Sequence, residues 1–289
     1  MSLLTEVFKK EKLTFSFEVF PAKTPEGHVK LLEMIKGLSV LNPSFISCTY
    51  GAGGGSREKT FDIVEYIQTS CGVPGMAHLT CMSHTRQVMQ DILDVLHKRG
   101  IKNILAMRGD PPKDNPDWQP GPEHFKYSCE LVALIRNRFQ GACAIGVAGF
   151  PEGHLMAKFK DADARYLNEK IKAGADFVVT QLFFNNQDYF DYVKRLRGLG
   201  INARVIPGVL PITDYQALVR FCSMCGATIS SEVHDIFKPI SNDPLKTKEQ
   251  GIEFAIGQCR SLLDGGAPGI HFYTLNKVHP VDVILKAVR

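Results

Sequence analysis

Glu18 is a single acidic residue enclosed by apolar side chains in the segment SFEVF. An apolar setting between Phe17 and Phe20 would raise the pKa of a carboxyl group, so that Glu18 could donate a proton near neutral pH. A glutamate at the end of a strand can equally bond a backbone group or an arginine, and the pattern alone leaves both roles open. Glu18 is therefore a candidate general acid.

A second candidate is the turn Arg108-Gly109-Asp110, which is followed by two prolines. Glycine permits close approach of the backbone to a ligand, and the two charged side chains can contact different parts of it. The alternative is a surface turn in which Arg108 and Asp110 pair with each other.

Two other motifs resemble known sites but fail in detail. The run GAGGGS at 51–56 lacks the Gly-Lys-Ser/Thr of a phosphate-binding loop, and Ser56 stands where a dinucleotide fingerprint needs glycine or alanine. Cys222 and Cys225 form one CxxC pair without a second pair or suitably spaced histidines. We interpret the cysteines as reduced helix thiols and predict no metal site.

The elements that must position these residues alternate along the chain. Apolar runs of strand length are separated by helical patterns, which indicates parallel strands joined by crossover helices. The runs lie at 13–20, 45–51, 75–81, 103–110, 143–150, 177–184, 204–211 and 269–276. Eight such units predict a single-domain (β/α)8 TIM barrel over residues 1–289.

Helical spacing is clearest at 28–38, 86–100 and 164–175. The stretch 226–268 is too long for one ordinary connection and predicts an extra helical insertion before the last strand. The proline-rich stretch 110–122 cannot be helical and predicts a loop at the C-terminal end of the fourth strand.

Polar residues at the C-terminal ends of barrel strands face the active site. The predicted strand ends offer acids, amides and aromatic rings, a combination that suits a flat heterocycle better than a sugar phosphate. These residues are Glu18, Thr49, Tyr50, His78, Arg108, Asp110, His154, Gln181 and the segment 273–277.

Composition narrows the class of protein further. The chain has 289 residues, 44% of them hydrophobic, and a formal net charge of +4 without any basic run. We therefore expect a globular protein that does not bind nucleic acid. The N-terminus lacks the apolar core of a signal peptide and no segment approaches 18 uninterrupted apolar residues, so we expect a cytoplasmic protein without membrane attachment.

The assembled motifs resemble those of the methylenetetrahydrofolate reductases. They occur in family order between residues 15 and 277, and they are FSFEVFPAKTPEG, SCTYGAGGGSREKT, AHLTC, LAMRGDPP, GADFVVTQLFF, PGVLPI and HFYTLNK. The end of the chain at Arg289 resembles the short bacterial form, which lacks the C-terminal regulatory domain of the animal enzymes.

This resemblance implies an FAD-dependent, alternating reaction in one-carbon and methionine metabolism. NADH or NADPH gives hydride to the flavin and leaves, and 5,10-methylenetetrahydrofolate then enters the same site. Glu18 would protonate the departing nitrogen of the folate ring, and Asp110 would stabilise the resulting cation. The resemblance further implies a homo-oligomer.

Matching positions imply two sets of ligand contacts. The flavin contacts would be Thr49, Tyr50, Ala52, His78, Arg108, Gly109, Asp110, Tyr127, Ala148, Phe150, His154, Ala157, Asp163 and Lys170. The folate contacts would be Thr49, Asp110, Gln181, Phe221, Tyr273 and Lys277.

Some positions depart from the family pattern. Phe150 replaces a frequent tyrosine, Ala217 replaces a glutamine of some bacterial relatives, and Lys277 replaces arginine, which removes a two-pronged hydrogen-bonding group.

Two other functions stay open at this point. One is a flavin-bearing subunit that takes electrons from a partner protein. The other is a barrel lyase that uses a Schiff-base lysine, which is disfavoured because no lysine ends an early or middle strand.

Overall fold

Eight parallel strands pair in chain order, and the last strand pairs with the first to close a barrel. The computed structural model describes residues 2–50, 57–111, 115, 117–155, 157 and 160–289, with the side chains of residues 160 and 161 left aside. The strands are β1 Thr14–Val19, β2 Phe45–Cys48, β3 Gly75–Thr80, β4 Asn103–Met107, β5 Ala144–Gly149, β6 Phe177–Leu182, β7 Arg204–Val209 and β8 Gly269–Tyr273.

Helices surround this barrel, and many begin at a Thr, Asn, Asp or Ser side chain that accepts a hydrogen bond from the first turn. They are α1 Leu4–Lys10, α2 Pro25–Ser39, α3 Arg57–Thr69, α4 Arg86–Lys98, α5 Ser128–Phe139, α6 Lys160–Lys172, α7 Asn186–Gly198, α8 Tyr215–Cys225, α9 Ser231–Phe237, α10 Pro244–Asp264 and α11 Val281–Val288. Within the described ranges, none of them has the length and apolarity needed to span a membrane.

The predicted (β/α)8 barrel is therefore confirmed. Every predicted strand is present, although each is shorter than its apolar run because the run continues into the loop beyond the last barrel hydrogen bond. The stretch 226–268, for which an extra helical insertion is predicted, contains the two helices α9 and α10. No helix occurs among the described residues of the proline-rich stretch 110–122.

Alternation along β1 separates the helix layer from the barrel interior. Phe15, Phe17 and Val19 are buried in the large apolar cluster formed with the surrounding helices. Ser16 and Glu18 therefore project inward, because neighbouring residues of a strand face opposite sides of the sheet. The same rule places the functional side chains of the other strands inside the barrel.

The N-terminal helix α1 closes the lower end of the barrel. Leu4 and Val7 pack against the interior residues Phe45 and Phe177, and Phe8 meets both rings edge-on. Asn103 is fully buried at the start of β4, where its Oδ1 accepts from the Leu4 backbone N–H at 2.9 Å and its Nδ2 donates to the Gly75 carbonyl at 3.1 Å. The side chain thus attaches the helix to two strands.

Replacement of Asn103 by leucine should lower the free energy of unfolding by about 2 to 4 kcal/mol, because a buried donor and a buried acceptor lose their partner. Urea denaturation followed by circular dichroism measures this change. Lys9→Ala, on the exposed end of the same helix, serves as the control and should change the free energy by less than about 0.5 kcal/mol. Equal effects of the two substitutions would show that Asn103 does not anchor α1.

Candidate active site

The carboxyl group of Glu18 lies at the C-terminal end of β1 between two buried imidazoles. Its Oε2 atom is 3.6 Å from His78 Nε2 and 3.8 Å from His271 Nε2. The Glu18 side chain keeps 19% of its surface exposed, so it remains accessible from the open end of the barrel. Phe17 points away into the helix layer and Phe20 is exposed, so the expected enclosure by phenylalanines is wrong and histidines take their place.

His78 is neutral in this setting. Burial lowers the pKa of its imidazole from 6.5 to about 4, and the nearby Glu18 carboxylate opposes this effect only in part. Near neutral pH, His78 therefore presents a polar group to Glu18 without a permanent positive charge.

The backbone around Glu18 is held by residues that follow β8. Thr274 Oγ1 donates to the Glu18 carbonyl at 2.6 Å. The Asn276 side chain accepts from the Phe20 N–H at 2.9 Å and donates to the Phe20 carbonyl at 2.8 Å. The position of Glu18 therefore depends on the segment that follows β8, at the other end of the sequence.

Tyr273 extends across β7 to reach β6. Its hydroxyl donates to the Thr180 carbonyl at 2.6 Å. A Cβ atom on Gly208 would lie only 2.8 Å from this hydroxyl and 2.4 Å from the Thr180 carbonyl oxygen, so only glycine fits under the tyrosine. The register shift between Val179 and Leu182 lies beside Gln181 and reorients this part of β6.

A group of basic side chains lies near the ends of β4 and β5. Lys170 Nζ donates to the Ala148 carbonyl at 2.8 Å and lies 5.9 Å from the centre of the Phe150 ring. The His154 ring meets Phe150 edge-on at 4.6 Å. Burial lowers the pKa of His154, and Lys170 and Arg108 lower it further, which shows that the three basic groups share one region.

Such a basic region fits the diphosphate of a dinucleotide. Asp110 also acts electrostatically on His154, so the exposed end of the Arg108-Gly109-Asp110 turn faces the same region. Gly109 has φ +81°, and a Cβ atom there would lie 2.8 Å from Thr80 Cβ. This close approach explains the glycine.

Asp163 is the one acidic flavin-contact candidate buried in this region. Burial raises the pKa of its carboxyl group from 3.8 to about 6, while the positive charges of Lys170 and Arg195 act in the opposite direction. Burial correspondingly lowers the pKa of Lys170, and Asp163 raises it. The two side chains therefore stabilise each other's charged forms at a partly desolvated site.

The remaining candidates take different positions. Tyr50 is buried against Phe61, and its hydroxyl lies 3.3 Å from His84 Nε2. Tyr127 is 58% exposed at the start of α5. Thr49 directly follows β2. Ala157 lies in the loop after β5, where its N–H donates to the His154 carbonyl at 2.8 Å. Ala52 lies outside the described residues.

The candidate folate contacts differ in location and exposure. Gln181 and Tyr273 line the barrel mouth, whereas Phe221 is half-buried on α8 and Lys277 is exposed beyond β8. Ala217 lies in the first turn of α8, where its N–H donates to Asp214 Oδ1 at 2.8 Å.

Cys222 and Cys225 also lie on α8. Burial raises the pKa of both thiols, that of Cys222 to about 12, so neither is a reactive thiolate. In the described part of the chain, no group of three or more histidine, cysteine or acidic side chains is arranged to hold a metal ion.

Ser16 and His271 were missed by the sequence interpretation. His271 is fully buried two residues before Tyr273, and Ser16 precedes Glu18 by the same interval. This spacing of two is the signal that could have identified them, because it places each on the inward face of its strand.

The sequence matches the family model described as methylenetetrahydrofolate reductase over residues 3–289. It is 37% identical over 278 residues to Methylenetetrahydrofolate reductase 1 of Schizosaccharomyces pombe, covering 96% of this chain and 46% of the relative. It is 34% identical over 266 residues to the 5,10-methylenetetrahydrofolate reductase of Pectobacterium carotovorum, covering 92% and 87%. The chain thus spans about half the length of the fungal relative and most of the bacterial one.

A solved structure shares the fold at low sequence identity. It is described as an uncharacterized protein from Clostridium thermocellum that binds two copies of 5-methyl-5,6,7,8-tetrahydrofolic acid. The TM-score is 0.64 at 14% identity, with 99% of this chain and 98% of that chain covered.

Asp163→Asn should change how stability depends on pH. A carboxyl group whose pKa is higher in the folded state stabilises the fold below about pH 4, and this contribution is lost as the pH rises through about 6. The free energy of unfolding of the unsubstituted protein should therefore fall relative to that of the variant by roughly 3 kcal/mol across this interval. Urea denaturation of both proteins from pH 4 to 7, without added flavin, measures the difference. A constant difference would contradict the assigned environment of Asp163.

Proposed function

Because the chain belongs to the methylenetetrahydrofolate reductase family, we propose that it reduces 5,10-methylenetetrahydrofolate to 5-methyltetrahydrofolate with hydride from NADH or NADPH. The observation that carries this proposal is the position of Glu18. Its carboxyl group is accessible at the barrel mouth, with two buried imidazoles beneath it. The basic region formed by Arg108, His154 and Lys170 lies across the same end of the barrel.

FAD, when bound, would supply the hydride transfer between the two substrates. Arg108, His154 and Lys170 would hold its diphosphate, and Asp163 would offer a hydrogen-bond acceptor beside them. Ala148 is a small residue that would leave room for a flat ring system next to β5, and Gly109 lets the turn after β4 lie close against Thr80. The chemical character of these residues fits the cofactor that the family implies.

Glu18 would act on the folate. Opening the five-membered ring of methylenetetrahydrofolate requires a proton on the departing nitrogen, and Glu18 is the acid at the barrel mouth that can donate it. The imidazole of His78 is neutral, so it adds no positive charge that would repel the cation formed on the substrate. Thr274 and Asn276 hold the backbone of Glu18 and Phe20, which would limit the movement of the acid during proton transfer.

Asp110 would stabilise the positive charge that ring opening creates on the folate. Its carboxylate is exposed at the barrel mouth near the basic region, so it can face both ligands. Gln181 would bind the pterin, and Phe221 would pack against the aminobenzoate ring. Thr49, Tyr273 and Lys277 would complete the folate contacts. The structurally similar clostridial protein is described as binding 5-methyl-5,6,7,8-tetrahydrofolic acid, which supports this substrate class.

Glu18→Gln should leave reduction of the flavin by the nicotinamide substrate within about twofold while slowing folate reduction by at least about a hundredfold. The amide keeps the size of the side chain but cannot donate a carboxyl proton. Anaerobic stopped-flow absorbance measures the two half-reactions separately. Glu26→Gln, on the exposed first turn of α2, is the control. Equal losses in both half-reactions would assign Glu18 a structural role.

Asp110→Asn should raise the midpoint potential of the bound flavin, because a negative charge is removed from its surroundings. Folate reduction should slow by about tenfold or more, since each 1.4 kcal/mol of lost stabilisation of the cation costs a factor of ten. Dye equilibration measures the potential. Asp117→Asn, an exposed residue of the same loop, should leave both quantities unchanged. An unchanged potential together with an unchanged rate in Asp110→Asn would remove Asp110 from the site.

A further inference from the structure

The side chain of Tyr50 packs into the helix layer rather than into the barrel mouth. It belongs to the large apolar cluster between the strands and the helices, where its ring centre lies 6.4 Å from that of Phe61 on α3. Thr49 takes the opposite side of the chain, because neighbouring residues of an extended segment alternate. The Thr49 N–H continues the pairing with β1 by donating to the Val19 carbonyl at 2.9 Å. A ligand in the barrel mouth would therefore meet the backbone of Tyr50 rather than its ring.

The hydroxyl group of Tyr50 is held by His84, in the loop after β3. Tyr50 Oη lies 3.3 Å from His84 Nε2, and His84 Nδ1 lies 3.0 Å from the Met82 carbonyl oxygen. A carbonyl oxygen can only accept, so the proton of the neutral ring lies on Nδ1 and Nε2 is left as an acceptor. Burial raises the pKa of the Tyr50 hydroxyl to about 12, so this group keeps its proton and donates to His84.

The charge of Arg57 completes this chain of contacts. Burial lowers the pKa of the His84 imidazole, the Met82 carbonyl opposes this effect, and the positive charge of Arg57 lowers the pKa further, so His84 is neutral near neutral pH. Arg57, the first residue of α3, also forms a side-chain hydrogen bond with Tyr50. Because a guanidinium group can only donate, the phenol oxygen accepts from Arg57 while its proton is directed to His84.

We propose that His84 is a positioning residue for the flavin: as a neutral imidazole protonated on Nδ1, it anchors the Tyr50 side chain in the helix layer and thereby fixes the backbone of residues 49 and 50 at the barrel mouth. The inference rests on the proposed function, in which this backbone meets the flavin. The Thr49 carbonyl is fixed as well, since Thr60 Oγ1 donates to it at 2.9 Å.

The benefit of such an anchor is a binding segment that is ordered before the ligand arrives. The contacts of Tyr50 come from the loop after β3 and from α3, so they form within the protein and need no flavin. Ordering a segment in advance lowers the free energy that the ligand must supply to order it. Loss of the contact with His84 would leave the Tyr50 hydroxyl without its acceptor in a buried setting and would loosen this end of the segment.

The dissociation constant of FAD, measured by fluorescence titration of the flavin-depleted full chain, tests the proposal. His84→Asn keeps a donor for the Met82 carbonyl but is too short to reach Tyr50, and it should weaken FAD binding by about tenfold. His84→Gln places an amide oxygen near the position of Nε2 and should restore most of the affinity. Tyr50→Phe should resemble His84→Asn, and the double variant should bind about as tightly as either single one, because both changes remove the same bond.

Tyr215→Phe is the matched control. Tyr215 is as buried as Tyr50, and its Oη lies 2.5 Å from Nδ1 of another histidine, His234. This pair joins α8 to α9, which carry none of the candidate flavin contacts. Tyr215→Phe should leave the dissociation constant of FAD within about twofold of the unsubstituted value. Equal weakening in Tyr50→Phe and Tyr215→Phe, or full affinity in His84→Asn, would overturn the proposal.

Side-chain NMR of flavin-free protein containing ¹⁵N-labelled histidine provides a readout that does not depend on flavin or turnover. His84 should be protonated on Nδ1, and Tyr50→Phe should shift its Nε2 resonance while the proton stays on Nδ1. His84→Gln assigns the signals. Protonation on Nε2, or an Nε2 resonance unaffected by Tyr50→Phe, would overturn the anchor.

The proposed function can fail separately from this positioning role. A protein that shows the expected FAD affinities and the expected tautomer but cannot reduce folate would refute the proposed function and support His84 as the anchor of the flavin-binding segment. An unsubstituted protein that binds no FAD would overturn both.

Discussion

Closure of the barrel by β8 against β1 is the constraint on which the candidate site depends. The paired residues of these strands lie 255 residues apart in the chain, yet their register sets Ser16 beside His271 and Glu18 beside Tyr273. The residues after β8 then hold the backbone of Glu18 and Phe20 through Thr274 and Asn276. The acid, its neighbouring imidazole and the tyrosine that crosses β7 are therefore placed by one pairing. Loss of this register would separate Glu18 from His271 and Tyr273, even if the other strands stayed paired.

Burial gives the two sides of the barrel mouth different electrostatic characters. Around Glu18 the imidazole of His78 is neutral, because desolvation lowers its pKa more than the carboxylate raises it. Around β5 and α6 the side chains of Arg108 and Lys170 provide positive charge, which together with burial lowers the pKa of His154, and Asp163 is buried beside Lys170 with a raised pKa. In the proposed reaction, this separation would allow an anionic dinucleotide and a substrate that becomes cationic to use neighbouring parts of one opening.

The sequence predicted the barrel and its strands well, because a run such as 177–184 is apolar enough to be buried on both faces of a strand. It also indicated Glu18 and the Arg108-Gly109-Asp110 turn as candidate site residues, since Glu18 lies near the end of β1 and the turn directly follows β4. It could not predict the neighbours of Glu18, because Phe17 is adjacent in the chain but points to the helix layer, whereas His271 is distant and points inward. Nor could it show that Tyr273 bonds the Thr180 carbonyl, because that contact depends on strand positions around the closed barrel.

The proposed function requires that this chain transfers hydride to a folate at the barrel mouth without help from another protein. The most direct measurement is a single-turnover experiment on the purified, flavin-loaded chain under anaerobic conditions. NADH or NADPH is added first, the flavin absorption is followed, and 5,10-methylenetetrahydrofolate is then added while the folate product is quantified by mass spectrometry. We expect that at least one of the two nicotinamides bleaches the flavin, that the folate restores its absorption, and that one 5-methyltetrahydrofolate forms per flavin. Bleaching only in the presence of a partner protein, or recovery without the methyl product, would contradict the proposed function.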